Sequence, residues 1–144
     1  MGNPLGVVMN KQPKQPSEKA YRAKADEVFL SKYRGRSCEV CEWRGDYGRT
    51  ANTAGHHVLP KGSYRAVRYD RRNIVVVCPR HHMFDRRIAA HGASGFAVAA
   101  FMSGLRERRP DDYAFLSAVW RGVVTPAKST YKQSFIALTE GAST

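Results

Sequence analysis

The chain has 144 residues, of which 42% are hydrophobic, and its 24 Lys and Arg against 12 Asp and Glu leave a net charge of +12. That length suits one domain with extensions and a modest core, and the charge makes nucleic acid the leading partner, because basic side chains release counterions from phosphates. No segment is long and apolar enough to span a membrane and no apolar signal-peptide core opens the sequence, so the expected location is the bacterial cytosol, where three cysteines point to metal rather than to disulfides.

Residues 1–19 carry three prolines and read as a mobile basic arm. From Ala20 to Tyr33 the pattern is helical, with Tyr21, Val28, Phe29 and Leu30 sharing part of one face and Gly35 as the stop. Residues 36–54 hold two cysteines and few aliphatics, so something other than an apolar core must fix them. Val58 and Leu59 continue a short strand that Pro60 ends, and 61–72 form a loop. The β-branched run Ile74-Val75-Val76-Val77 is the clearest strand. Pro79 fits the first turn of a helix running to about Ala90. Phe96, Ala97, Ala100, Phe101 and Leu105 have helical spacing. Pro110 breaks that helix, and Asp111 or Asp112 caps another bearing Tyr113, Leu116, Val119 and Trp120. Residues 122–144 read as a frayed polar tail, so the domain spans 20–121 with a core at 36–90.

Cys38 and Cys41 form a CxxC knuckle, which needs a second pair to close a tetrahedral site. Cys78 and His81 supply it at the same spacing, giving a Cys3His zinc site whose binding energy replaces the missing apolar core; His82 is the competitor for the fourth position. Between the knuckles lie His56-His57-Val58-Leu59-Pro60 and Asn73, with His82 just beyond.

Taken together, Cys38xxCys41, His56His57xxPro60, Asn73 and Cys78PxHis81His82 resemble the HNH (His-Me finger) endonucleases over about residues 36–90. Ala54-Gly55-His56, Gly62 and Arg68-Tyr69-Asp70-Arg71-Arg72-Asn73 are more loosely similar to the phage NinG/Rap-type recombination endonucleases. The resemblance implies an α+β fold: a small ββα-metal, treble-clef-like core with zinc knuckles between N-terminal and C-terminal helices. It implies that His56 and His82 bind a catalytic divalent ion, that His57 is the general base and that Asn73 pins the loop carrying it. His81 stands where the family more often has a fourth cysteine, and His56 where it more often has aspartate.

The chemistry fits these residue types. A neutral imidazole can deprotonate water near neutral pH. One divalent ion can bind a phosphate oxygen and the leaving oxygen together. Imidazole ligands favour Mn²⁺ or Ni²⁺ over Mg²⁺, although Mg²⁺ is abundant and phosphate adds oxygens. Neighbouring strand residues point to opposite faces, so His56 and His57 divide the labour. Asp85, three residues past His82, reads foremost as a solvated helix charge. Lys61, Arg65, Arg68, Arg71 and Arg72, with Arg86 on the helix, are the expected DNA phosphate contacts. The expected function is a metal-dependent DNA endonuclease carrying structural Zn²⁺ and a catalytic Mg²⁺, Mn²⁺ or Ni²⁺. The alternative is a non-catalytic zinc-containing nucleic-acid-binding module, which needs neither His57 nor His82. The C-terminal helices either pack on the core or build a homodimer.

Overall fold

The computed structural model describes residues 12–92 and 94–141, together with Gly2 and Gly6. Most of the expected N-terminal arm lies outside the described residues, and 12–17 are exposed without regular structure. Helix α1 (Glu18–Ser31) starts where Ser17 accepts a hydrogen bond from the Ala20 N–H (3.2 Å), with Glu18 favourable in the first turn. It buries Ala25 and Phe29, and Gly35 past its end takes a φ of 73°, a left-handed geometry that costs glycine little.

The short helix α2 (Glu39–Trp43) carries Cys41 and follows directly on Cys38. Strands β1 (Ala54–His57) and β2 (Ile74–Val77) pair antiparallel, with His56 opposite Val75 and His57 opposite Ile74. β1 therefore ends at His57, before the expected Val58 and Leu59. The Val58 N–H still donates to the Asn73 carbonyl (2.9 Å), but the Leu59 N–H turns to the Asn73 side chain. All four residues of β2 are buried, which is what a β-branched run covered on both faces requires.

The expected helix from Pro79 to Ala90 is a single wide turn, Arg80–Phe84, closed by the Asp85 N–H donating to the Arg80 carbonyl five residues back (2.8 Å). Asp85 ends it: one carboxylate oxygen accepts from the Arg87 and Ile88 N–H groups (2.8 and 3.2 Å) and the other from Arg80 Nε (2.9 Å). These bonds offer the chain an alternative to helix. Asp85 is thus 5% exposed rather than solvated, and although burial opposes ionisation, those bonds hold its pKa down to about 2.

Helices α3 (Gly95–Arg108) and α4 (Pro110–Trp120) close the core, placing Phe101, Leu105 and Leu116 beside Cys38, Val40, Val75 and Val77. Pro110 opens α4, and Asp111 and Asp112 sit in its first turn rather than at the cap. Trp43 packs 5.7 Å from Phe101 between ring centroids; a Cβ on Gly104 would lie 2.8 Å from the Trp43 ring, so glycine permits that approach. Arg109, at the joint between the two helices, donates to the Ile74 carbonyl (2.7 Å) and to Glu39 (3.2 Å), tying them to β2 and α2.

The expected frayed tail instead carries a helix at 131–140 among its described residues. Thr130 and Gln133 form a reciprocal capping box that starts α5 (Tyr131–Glu140). α5 packs on α1 through Tyr21 and Phe135 (6.0 Å between centroids) and through the Tyr131 N–H donating to Glu18 (3.1 Å). The architecture is mixed α and β: a two-stranded sheet flanked by helices. Among the described residues no helix is long and apolar enough to cross a membrane.

Candidate functional site

Cys38, Cys41, Cys78 and His81 converge in the core, all buried. His81 Nδ1 lies 3.6, 3.4 and 3.5 Å from the three sulfurs, and Cys41 Sγ lies 4.0 Å from Cys78 Sγ. A tetrahedral zinc with the usual bond lengths requires S···N edges of about 3.6 Å and S···S edges of about 3.8 Å. The four donors therefore fit a metal ion such as zinc. His81, not His82, completes the set. Burial pushes the Cys38 thiol up to about 12, so its thiolate needs a cation's charge, whereas burial of the Cys78 thiol is outweighed by hydrogen bonds from the His81 backbone and the other thiols, which lower its pKa. Among the described residues His81 Nε2 has no hydrogen-bond partner, and Asp85 Oδ2 lies 4.0 Å from it.

The second cluster is His56, His82 and His91, whose nitrogens lie within 4.8 Å of one another. His56 is buried, His82 half-buried and His91 exposed, so the cluster opens to solvent on one side. His56 comes from β1, with its ring 4.5 Å from His91 and 5.3 Å from His82 between centroids. His91 was not expected here. It arrives because the chain folds back after Asp85: the Ala90 and His91 N–H groups donate to the His81 and His82 carbonyls (2.9 and 2.7 Å). Burial, then the neighbouring histidines, lower the pKa of His56 to about 3; burial and His91 lower that of His82. Neutral imidazoles with lone pairs available are what a divalent transition ion takes.

His57 points to the other face of β1, as strand alternation demands. Its ring lies 6.4 Å from Phe29, and its Nε2 is 2.8 Å from the Arg68 carbonyl oxygen. A carbonyl only accepts, so Nε2 carries the hydrogen and a neutral ring keeps its lone pair on Nδ1. Burial outweighs that bond and lowers the His57 pKa, favouring the neutral ring. His57 nevertheless lines the same cavity of about 510 Å³ as His56, His82 and His91, with Lys61 at its edge.

Asn73 is fully buried and spends its whole amide on the backbone. Its Oδ1 accepts from the Leu59 N–H (2.7 Å), and its Nδ2 donates to the Leu59 and Val67 carbonyls (3.0 and 3.2 Å). It joins the chain just after His57 to the loop whose Arg68 carbonyl holds that histidine.

No protein-family model, curated protein or solved structure matches the chain. The site must be read from its own residues.

The expected DNA contacts separate into two groups. Arg68 is 6% exposed and grips Asp26 through two nitrogens (2.9 and 2.7 Å), so it is a structural ion pair unavailable to phosphate. Arg72 is clamped on Asp70 (2.7 Å), with its guanidinium carbon 3.4 Å from the Phe115 ring centroid. Lys61, Arg65, Arg71 and Arg86 remain exposed; with no helix past Phe84, Arg86 stands on a bend rather than one helical turn beyond His82.

Proposed function

We propose that the chain is a metal-dependent DNA endonuclease of the HNH type, its two strands and the Arg80–Phe84 turn forming a reduced ββα-metal unit stapled by Zn²⁺ at Cys38, Cys41, Cys78 and His81. The observation that carries this reading is the pairing of His57 with the histidine cluster in one cavity: a base oriented through Nε2 beside three imidazoles open to solvent on one side. A structural zinc alone gives no reason for either.

His56, His82 and His91 would hold a divalent ion such as Mn²⁺, Ni²⁺ or Mg²⁺. When bound, it would supply charge neutralisation at the scissile phosphate. His57 accepts the proton of the attacking water at Nδ1, and the Arg68 carbonyl stabilises the resulting imidazolium through Nε2–H. Asn73 keeps the loop from drifting, which matters because misplacement of a base by about 1 Å can cost on the order of a hundredfold in rate. Lys61, at the cavity edge, attracts the phosphate backbone.

The test is cleavage of plasmid and branched DNA by the wild type and His57→Ala, each with Mg²⁺, Mn²⁺, Ni²⁺ or EDTA. Metal-dependent cutting that falls at least about a hundredfold in a folded, zinc-loaded variant supports the assignment. Folded wild type that binds DNA yet never cuts it would leave a zinc-containing binding module.

A further inference from the structure

A cavity lined by four basic side chains lies outside the histidine cleft. It is a groove of about 590 Å³ between α1, α5 and the loop through residues 65–71. Lys32, Arg36, Arg65 and Arg71 line it. Among the described residues Lys32, Arg36 and Arg71 have no carboxylate partner, although the adjacent Arg34 is paired with Glu27. Arg65 reaches Glu18 only at 3.9 Å. The acidic lining residue, Asp70, is occupied by Arg72 at 2.7 Å. Unpaired cations gathered in a concave site leave a positive field that selects an anion.

The groove is also aromatic. Tyr33, Tyr69 and Tyr131 line it, with Phe29 at its base. The Arg65 guanidinium carbon lies 4.0 Å from the Tyr131 ring centroid, so the ring braces a planar cation. Tyr69 is fixed by its hydroxyl donating to Asp26 (2.8 Å) and by an edge contact with Phe29 (5.5 Å). These walls are set before any ligand arrives.

We propose that this groove seats a single strand of nucleic acid. Planar groups interleaved with cations suit a strand whose base faces are exposed, and a duplex offers no such faces and is too wide for the cavity. The path continues: Tyr33, Arg36 and Arg71 also line a neighbouring cleft of about 610 Å³ that contains Arg109. Phe29, buried behind the groove, packs 6.4 Å from His57 between ring centroids, and the loop that walls the groove carries the Arg68 carbonyl that orients that histidine. The proposal rests on the nuclease reading for the class of ligand and narrows that class to substrates with an unpaired strand.

The experiment is fluorescence anisotropy of a labelled oligothymidylate of about 16 nucleotides, titrated with zinc-loaded full-length protein without other divalent metal. Arg36→Ala/Arg71→Ala should weaken binding roughly tenfold and reduce the salt slope by about 1.4, two phosphate contacts at about 0.7 each. Arg106→Ala/Arg121→Ala, which removes two exposed cations outside the groove, should change affinity less than about twofold. Equal losses from both pairs, no loss from the groove pair, or displacement of the oligonucleotide by duplex DNA or polyglutamate as readily as by unlabelled oligonucleotide would overturn the proposal. Failure of the groove leaves His57-dependent plasmid cleavage untouched, and failure of the nuclease reading leaves this binding untouched, so the two are separable.

Discussion

Asn73→Ala is the sharpest perturbation of the frame around His57. Among the described contacts, the Leu59 N–H and carbonyl would each lose their only hydrogen-bond partner, and Val67 would keep the Asp70 N–H (3.2 Å). Two buried backbone groups left unpaired cost about 1–3 kcal/mol each. The space vacated by the fully buried amide adds a smaller amount. A total of about 2–6 kcal/mol, or slightly more with the vacated space, follows, against about 5–15 kcal/mol for a whole domain. Urea denaturation of the zinc-loaded protein measures it directly. Asn73→Asp gives an independent check. It keeps the acceptor for Leu59 but sets a carboxylate against two carbonyls, so its folded-state pKa is raised. Its contribution is present below the unfolded carboxylate value and lost as pH rises through the folded one. The Asp variant should therefore regain stability relative to wild type on acidification. A loss below about 1 kcal/mol for the Ala variant, with unchanged cleavage, would show that the loop stands without this amide and that the argument is wrong.

The two metal-capable clusters should respond differently. Cys38→Ser removes a fully buried ligand, and since structural zinc contributes about 10–16 kcal/mol the domain should lose both zinc and fold; a folded, zinc-free product by circular dichroism and metal analysis would remove the staple. His91→Ala changes an exposed residue, so folding should persist while Mn²⁺ affinity by calorimetry drops at least about tenfold; unchanged affinity would take His91 out of the cluster. Acid should destabilise the protein without a divalent ion on the histidines. His56 is held near 3 in the fold, whereas a free imidazole titrates near 6.5. The unfolded chain takes up the proton first, so stability present above about pH 6.5 is lost as pH falls, by up to about 1.4 kcal/mol per unit for this group. His56→Phe should flatten that slope in urea titrations, and an unchanged slope would mean that His56 protonates freely in the folded protein.

How much was legible depended on how local each determinant is. The Cys3His set could be read because CxxC and CxxH are spacings within single turns. β2 could be read because four β-branched residues leave few other conformations. The division between His56 and His57 followed from strand alternation alone. What escaped depended on contacts distant in sequence or on side chains that redirect the backbone. Helical spacing extended the turn after Pro79 to Ala90, but Asp85 captures the Arg87 and Ile88 N–H groups and ends it at Phe84. That return is what carries His91 to His82, so the unexpected place of His91 and the shortened turn have one cause. Arg68 looked like its basic neighbours because nothing local announces Asp26, which reaches it from α1. α5 was taken for a tail because its apolar partners lie on α1 at the opposite end of the chain; Thr130 and Gln133 were the signal that could have found it.

The adjacency of His81 and His82 joins the two clusters mechanically. His81 faces the three sulfurs and His82 faces His56 and His91, from consecutive positions of one wide turn. Any movement that releases His81 must therefore displace His82 by a similar amount. The same turn is held from outside: Asp85 binds Arg80, lies 3.5 Å from Arg44, and closes the bend that returns His91. The Cys3His centre consequently does more than replace a small apolar core. It sets the position of one histidine of the open cluster directly and of another through the bend. A shift of this wide turn should therefore disarm the histidine cleft even while α1 and α5 still hold each other, because their contacts involve neither cluster.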